Sequence, residues 1–170
     1  GHLLLAILGH LSRGPVASER STSMHQSNIV FSEQALELKA IAREIADKHV
    51  RPLSAQHDKD QEYNYVAAEA VSKAGLFGTF IPKEYGGLGA GVLALSLVAE
   101  ELAKADSGFG VAFAVNALGS FPIILGGTEE QKTRWLPQIA AGKKKVAFCL
   151  SEKFAGSDAP GLLLIHISQP

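Results

Sequence analysis

Lys143-Lys144-Lys145-Val146-Ala147-Phe148-Cys149-Leu150-Ser151-Glu152-Lys153-Phe154-Ala155-Gly156-Ser157-Asp158 is the stretch on which the fold turns, because the hydrophobic period changes inside it. Past the lysines, Val146, Phe148 and Leu150 alternate with Ala147, Cys149 and Ser151, which is the period of two of a buried strand. Everything patterned upstream has a helical period. A helical domain handing over to a β domain is expected, rather than the strand–helix alternation of a doubly wound sheet.

Working back from that stretch, Thr128-Glu129-Glu130-Gln131 has the spacing of a reciprocal capping box, with Trp135, Leu136 and Ile139 as the apolar face behind it and Gly142 as its end. From Gly108 to Leu125 the chain is uncharged, so the helix expected over residues 109–118 should be buried on nearly every side, with Pro122 interrupting it or starting the next turn. Leu88, Val92, Leu95, Ala99 and Leu102 form a seam at helical spacing, opposite Glu100, Glu101 and Lys104. Residues 77–91 hold too many glycines for a regular element and read as a structured loop. Tyr65, Val66, Ala70, Val71 and Ala74 make a helix closed by Gly75. Ser32 caps a first helix carrying Leu36, Leu38, Ile41, Ala42, Ile45 and His49. Pro52 should stop it, and a polar link through His57-Asp58-Lys59-Asp60 should follow.

With 170 residues, 46% hydrophobic and a net charge of −1, the chain suits one soluble domain and lacks the basic footprint of a nucleic-acid binder. The apolar run Leu3-Leu4-Leu5-Ala6-Ile7-Leu8 is well short of the roughly 20 residues that span a bilayer, so no membrane span is expected there. Arg13, Arg20 and neighbouring serines suit either a transit peptide or non-native upstream sequence. A single cysteine points to a reducing compartment, cytoplasm or mitochondrial matrix, rather than secretion.

Candidate chemistry is sparse. Gly86-Gly87-Leu88-Gly89-Ala90-Gly91 has the wrong spacing for a dinucleotide fingerprint and no strand before it; it reads as a tight turn entering a helix. The six histidines share no ligand spacing, so no metal is expected. Cys149, inside a strand, reads as a buried inert thiol. Glu100 with Glu101, and Glu129 with Glu130, point to different helix sectors and read as surface acids. Lys143-Lys144-Lys145 reads as a solvated turn or as an attractor for an anionic ligand. Ala155-Gly156-Ser157-Asp158 suits a phosphate nest, and equally an ordinary turn.

Four motifs in order resolve these alternatives. Ile81-Pro82-Lys83-Glu84-Tyr85-Gly86-Gly87, Glu100-Glu101-Leu102-Ala103, Gly126-Gly127-Thr128-Glu129-Glu130-Gln131-Lys132, and Ala147-Phe148-Cys149-Leu150-Ser151-Glu152 before Ala155-Gly156-Ser157-Asp158 together resemble the acyl-CoA dehydrogenase family. The resemblance covers residues 29–158. It implies a mainly α fold, the family's N-terminal helical bundle over residues 28–143, followed by the first strand and FAD loop of its middle β domain over 144–158. Residues 1–27 would be an extension and 159–170 a divergent tail.

The resemblance further implies FAD as cofactor, an acyl-CoA as substrate, and an electron-transfer flavoprotein or another acceptor as redox partner. Family members form homo-oligomers. Phe148, Cys149, Leu150 and Ser151 would lie along the flavin; Gly156 and Ser157 would meet the pyrophosphate, with Ser157 also near the acyl-CoA. Helices over residues 88–118 would line the acyl pocket. Ser151 stands where threonine is usual, and Lys153-Phe154 where Pro-Gly is. No residue matches the family's catalytic base, so the chain is expected to be a portion of such an enzyme, inactive alone. A non-catalytic helical interaction module and a related acyl-CoA oxidase or flavin monooxygenase are the alternatives.

Overall fold

A computed structural model describes residues 30–151 together with 156 and 157. The expected extension 1–27, the Lys153-Phe154 departure and the tail 159–170 lie outside the described residues. The packed body begins at Phe31. Among the described residues it contains six α-helices and no strand.

Helix α1 (Glu33–Ile45) begins as expected, with the Ala35 amide donating to Ser32 Oγ at 3.1 Å. Its buried positions are Ala35, Leu38, Ala42 and Ile45, a single stripe at helical spacing. Pro52 does not stop the chain from coiling. A π turn (Ala46–Val50) and a 3-10 turn (Arg51–Leu53) lead into α2 (Ser54–Asp60), so the expected polar link is helical. The reason is positional: Pro52 lies in the first turn of a new segment, where no intrahelical N–H is needed. Helix α3 (Tyr65–Lys73) is capped by Asn64, whose Oδ1 accepts from the Ala67 amide at 2.9 Å, and Gly75 follows it at φ 71°.

The expected structured loop is present between α3 and α4 (Gly91–Ala105). It is folded back on itself by the Leu88 amide to Gly78 O (2.8 Å), Ala90 to Thr79 O (2.8 Å) and Gly89 to Ile81 O (2.9 Å). Gly87 makes this possible: a Cβ there would stand 2.0 Å from Ile81 O.

Helix α1 packs along α4. The buried positions of α4 are Ala94, Leu95, Leu97, Val98, Glu101 and Leu102, whereas Val92 of the expected seam is 57% exposed. Glu101 is not a surface acid. It is 4% exposed, and Arg43 grips it through Nε to Oε2 (2.9 Å) and Nη2 to Oε1 (3.1 Å), with Lys104 at 3.1 Å and Lys39 at 3.6 Å. Donation from Arg43 outweighs burial and holds the carboxyl well below its usual 4.5, at about 2. A charged side chain can occupy the interface because every oxygen there meets a cation.

Helix α5 (Ser107–Gly126) runs past both ends expected for it. Asp106 starts it, accepting from the Phe109 amide (2.8 Å) and from Ser54 Oγ (2.6 Å). Pro122 is accommodated within it. Pro122 and Leu118, the residue whose carbonyl loses its donor, are both on the exposed side of the helix, where water can replace the missing bond. Helix α6 (Glu129–Ala140) carries the expected capping box, Thr128 N to Gln131 Oε1 at 2.9 Å and Gln131 N to Thr128 Oγ1 at 3.3 Å. Leu136, Ile139 and Ala140 are its buried face, and Gly142 follows at φ 68°.

The expected strand over residues 146–150 is not formed among the described residues. A strand holds its conformation through a ladder with a neighbour, and no second strand is present among the described residues to provide one.

Candidate functional site

Among the described residues α5 carries a long apolar surface that nothing covers. Phe109, Phe113, Asn116, Ala117 and Ser120 face inward, while Val111, Leu118 and Leu125, seven residues apart, are 62%, 48% and 81% exposed. Val92 and Leu93 on α4 are also exposed. The sequence expectation that this helix would be buried on nearly every side is therefore wrong: one whole face of it is uncovered. Its lack of charge reflects a core on one side and an uncovered apolar stripe on the other. By length and hydropathy alone α5 would suffice to cross a membrane, and 39% of that apolar window is buried inside the body, where α5 packs against α4.

The stretch after α6 starts on this helix. The Val146 amide donates to Asn116 Oδ1 at 2.8 Å, and Asn116 is 3% exposed. Gly119 lets the backbone come close, since a Cβ there would stand 2.6 Å from Val146 Cγ1 and 3.0 Å from Ala147 O. The Lys145 ammonium sits 5.1 Å above the Phe77 ring and 5.9 Å from that of Tyr63. Neither Asn116 nor Gly119 is singled out by the sequence reading. The available signal was an amide and a glycine inside an otherwise uncharged, apolar helix.

Two cavities border residues 145 and 146. One, of about 490 Å³, lies between α5 and α6 and is lined by Pro122, Ile123, Gln131, Trp135, Lys144 and Val146 among others. The other, of about 320 Å³, is lined by Tyr63, Tyr65, Phe77, Ala112, Val115 and Lys145 with Asn116 and Val146. No carboxylate lines either one.

The six residues expected to bind cofactor all lie on the surface. Phe148 is 42% and Leu150 38% exposed, and Cys149, Ser151, Gly156 and Ser157 are exposed as well. Cys149 is thus not the buried thiol its alternation suggested, because nothing among the described residues covers the segment. The structure brings Phe148, Cys149, Leu150 and Ser151 together only as consecutive residues of one open edge, tied through Val146 to Asn116 on the inward side of α5. A Cβ at Gly156 would meet nothing within 4 Å.

Comparison with known proteins gives a consistent result. A family model described as acyl-CoA dehydrogenase, N-terminal domain, matches residues 32–143. The probable acyl-CoA dehydrogenase fadE25 of Mycobacterium leprae is 38% identical over 130 residues, covering 76% of this chain and 33% of that protein. Butyryl-CoA dehydrogenase from Megasphaera elsdenii superimposes with a TM-score of 0.73 at 30% identity, over 79% of this chain and 36% of its own. An acyl-CoA dehydrogenase complexed with FAD from Bacillus anthracis gives 0.68 at 33% identity, over 78% and 23%. The chain spans about a third of the length of the curated relatives it matches.

Proposed function

Since the chain belongs to the acyl-CoA dehydrogenase family and matches its N-terminal helical domain, we propose that it builds one side of a site for FAD-dependent α,β-desaturation of an acyl-CoA thioester. The uncovered stripe of α5 would be a wall of the acyl pocket. Phe148, Cys149, Leu150 and Ser151 would form a flavin edge, with Gly156 and Ser157 at the pyrophosphate and Ser157 also near the acyl-CoA. The observation that carries this reading is the uncovered, uncharged apolar stripe of α5 together with an exposed segment that is anchored at Val146 to the inward side of the same helix by Asn116.

The residues present fit such a group. The edge offers exposed backbone donors and acceptors and the Ser151 and Ser157 hydroxyls. Lys143, Lys144 and Lys145 are exposed beside it, and neither bordering cavity has a carboxylate to repel a pyrophosphate. FAD, when bound, would accept a hydride from the β-carbon of the acyl group. The work of this chain would be to exclude water from the acyl chain and to orient the flavin rim. The general base that takes the α-proton would come from outside the described residues. An electron-transfer flavoprotein or another acceptor would then reoxidise the flavin, in a homo-oligomeric assembly.

Titrating the purified chain with FAD, read by quenching of flavin fluorescence, and then with butyryl-CoA and octanoyl-CoA, tests the reading. Saturable quenching that acyl-CoA perturbs, without reduction of a dye acceptor, is the expected outcome. Turnover would place the base within this chain and overturn that part of the proposal. A defined oligomer that ignores FAD would favour a non-catalytic helical interaction module.

A further inference from the structure

We propose that Asn116 and Gly119 are positioning residues that set the register at which residues 146–151 leave the helical body. The inference rests on the flavin reading of that segment and deepens it, by naming what ties the flavin edge to the acyl-pocket helix.

Asn116 and Gly119 are three positions apart on α5, on the same face. Asn116 is buried, and its Oδ1 accepts the Val146 amide at 2.8 Å. Its Nδ2 has no acceptor among the described residues. A buried donor left unpaired is costly, so an asparagine at this place needs a reason. The bond to Val146 is one: a side chain without an acceptor here would leave the Val146 amide itself unpaired at the start of the segment.

Gly119 supplies a second, independent constraint. Alanine is the better helix former in a helix interior, so helix stability does not explain a glycine here. Close approach does. With Val146 Cγ1 at 2.6 Å and the Ala147 carbonyl oxygen and carbon at 3.0 and 3.1 Å from the Cβ that alanine would add, the Val146 side chain would have to turn and the Ala147 backbone to move outward by a few tenths of an ångström. One residue thus fixes the segment's hydrogen bonding and the other its distance from the helix. Phe148 begins two residues further on, so a shift at Val146 is passed directly to the proposed flavin contacts.

The test is amide hydrogen exchange on the full chain, with FAD titration of the same variants. In the wild type the amide at position 146 should be protected, while those of residues 148–150 exchange freely. Asn116→Leu should lower protection at 146 at least tenfold. Gly119→Ala should do the same and weaken FAD binding at least fivefold, with its melting temperature unchanged or raised. Adding Val146→Ala to Gly119→Ala removes the closest clash and should restore part of both, the contact with the Ala147 carbonyl remaining. Free exchange at 146 in the wild type, or a folded Gly119→Ala chain with wild-type protection and FAD affinity, would overturn the proposal. If Gly119→Ala does not fold, Asn116→Leu decides. An absence of FAD binding in the wild type counts against the flavin reading, while exchange at 146 still decides the register.

Discussion

The α1–α4 interface and the outer face of α5 are both made by apolar helices of one bundle, and they are finished in opposite ways. The first is closed even around a charge: Glu101 is buried, and Arg43, Lys104 and Lys39 surround it. The second carries no charge and is open, with Val111, Leu118 and Leu125 in solvent. Charge in sequence is therefore a poor guide to exposure in this chain. What separates the two regions is whether the chain brings its own partner to the surface. The closed interface is needed for folding, and the open stripe is free for recognition.

If that contrast is right, substitutions on the closed side should act on stability and those on the open side on binding. The largest effect is expected at Gly87, in the loop that seals the end of α4. Gly87→Ala would place a methyl 2.0 Å from Ile81 O, and the loop must open, losing bonds such as Gly89 N to Ile81 O. A loss of about 3 kcal/mol in urea unfolding is expected, at the upper end for overpacking. A variant as stable as wild type would show that the loop does not seal the body.

Glu101→Gln should come next, at about 2 kcal/mol. That falls below the usual cost of breaking a buried ion pair because Arg43 is 59% exposed and can return to water. The pH dependence gives a sharper test. The carboxyl's folded value is depressed from 4.5 to about 2, so the unfolded chain takes up the proton first as pH falls. The stabilisation is complete above about pH 5 and lost as pH drops through the folded value. Glu101→Gln should flatten that acid limb. An unchanged limb would show that the cations around Glu101 contribute nothing net.

Much of the bundle's local structure was legible in the sequence. The Ser32 cap, the Thr128–Gln131 box, and the glycines at 75 and 142 are chemistry confined to a few residues, and each lies where it was expected. Glu101 was missed because its partner Arg43 is 58 residues away, and no local pattern shows a pairing across that distance. Pro52 and Pro122 were read as breaks because a proline's tolerance depends on where it falls in the helical turn and which side meets water. For the second region, residue types were legible but exposure was not. Alternation at 146–151 marks a segment able to pair as a strand, and the pairing partner decides whether it does.

A smaller loss, about 1 kcal/mol, is expected of Asp106→Ala, which removes the cap on the Phe109 amide and the acceptor for Ser54. Asp106 is the hinge of the comparison, since it starts the helix that carries both the closed and the open face. Its carboxyl lies below the ordinary aspartate value, chiefly because Ser54 donates to it. The cap should therefore survive mild acid better than an exposed aspartate would, and melting curves of both forms between pH 7 and pH 4 would show whether it does.

The smallest stability effect should come from the open stripe. Leu118→Ser alters a side chain that is 48% exposed, so little apolar area returns to water and the change in unfolding free energy should stay within about 0.5 kcal/mol. Serine is also a poorer helix former, which accounts for most of that figure. The same substitution should matter far more to an acyl chain laid along α5, because a hydroxyl desolvated there without a partner is penalised while a leucine is not. Acyl-CoA binding to Leu118→Ser should weaken about fivefold, and Val111→Ser should weaken it to a similar extent, as the next residue along the stripe. A loss of stability of 2 kcal/mol with binding intact would mean that α5 is closed by contacts of its own chain, and the two regions would then be alike.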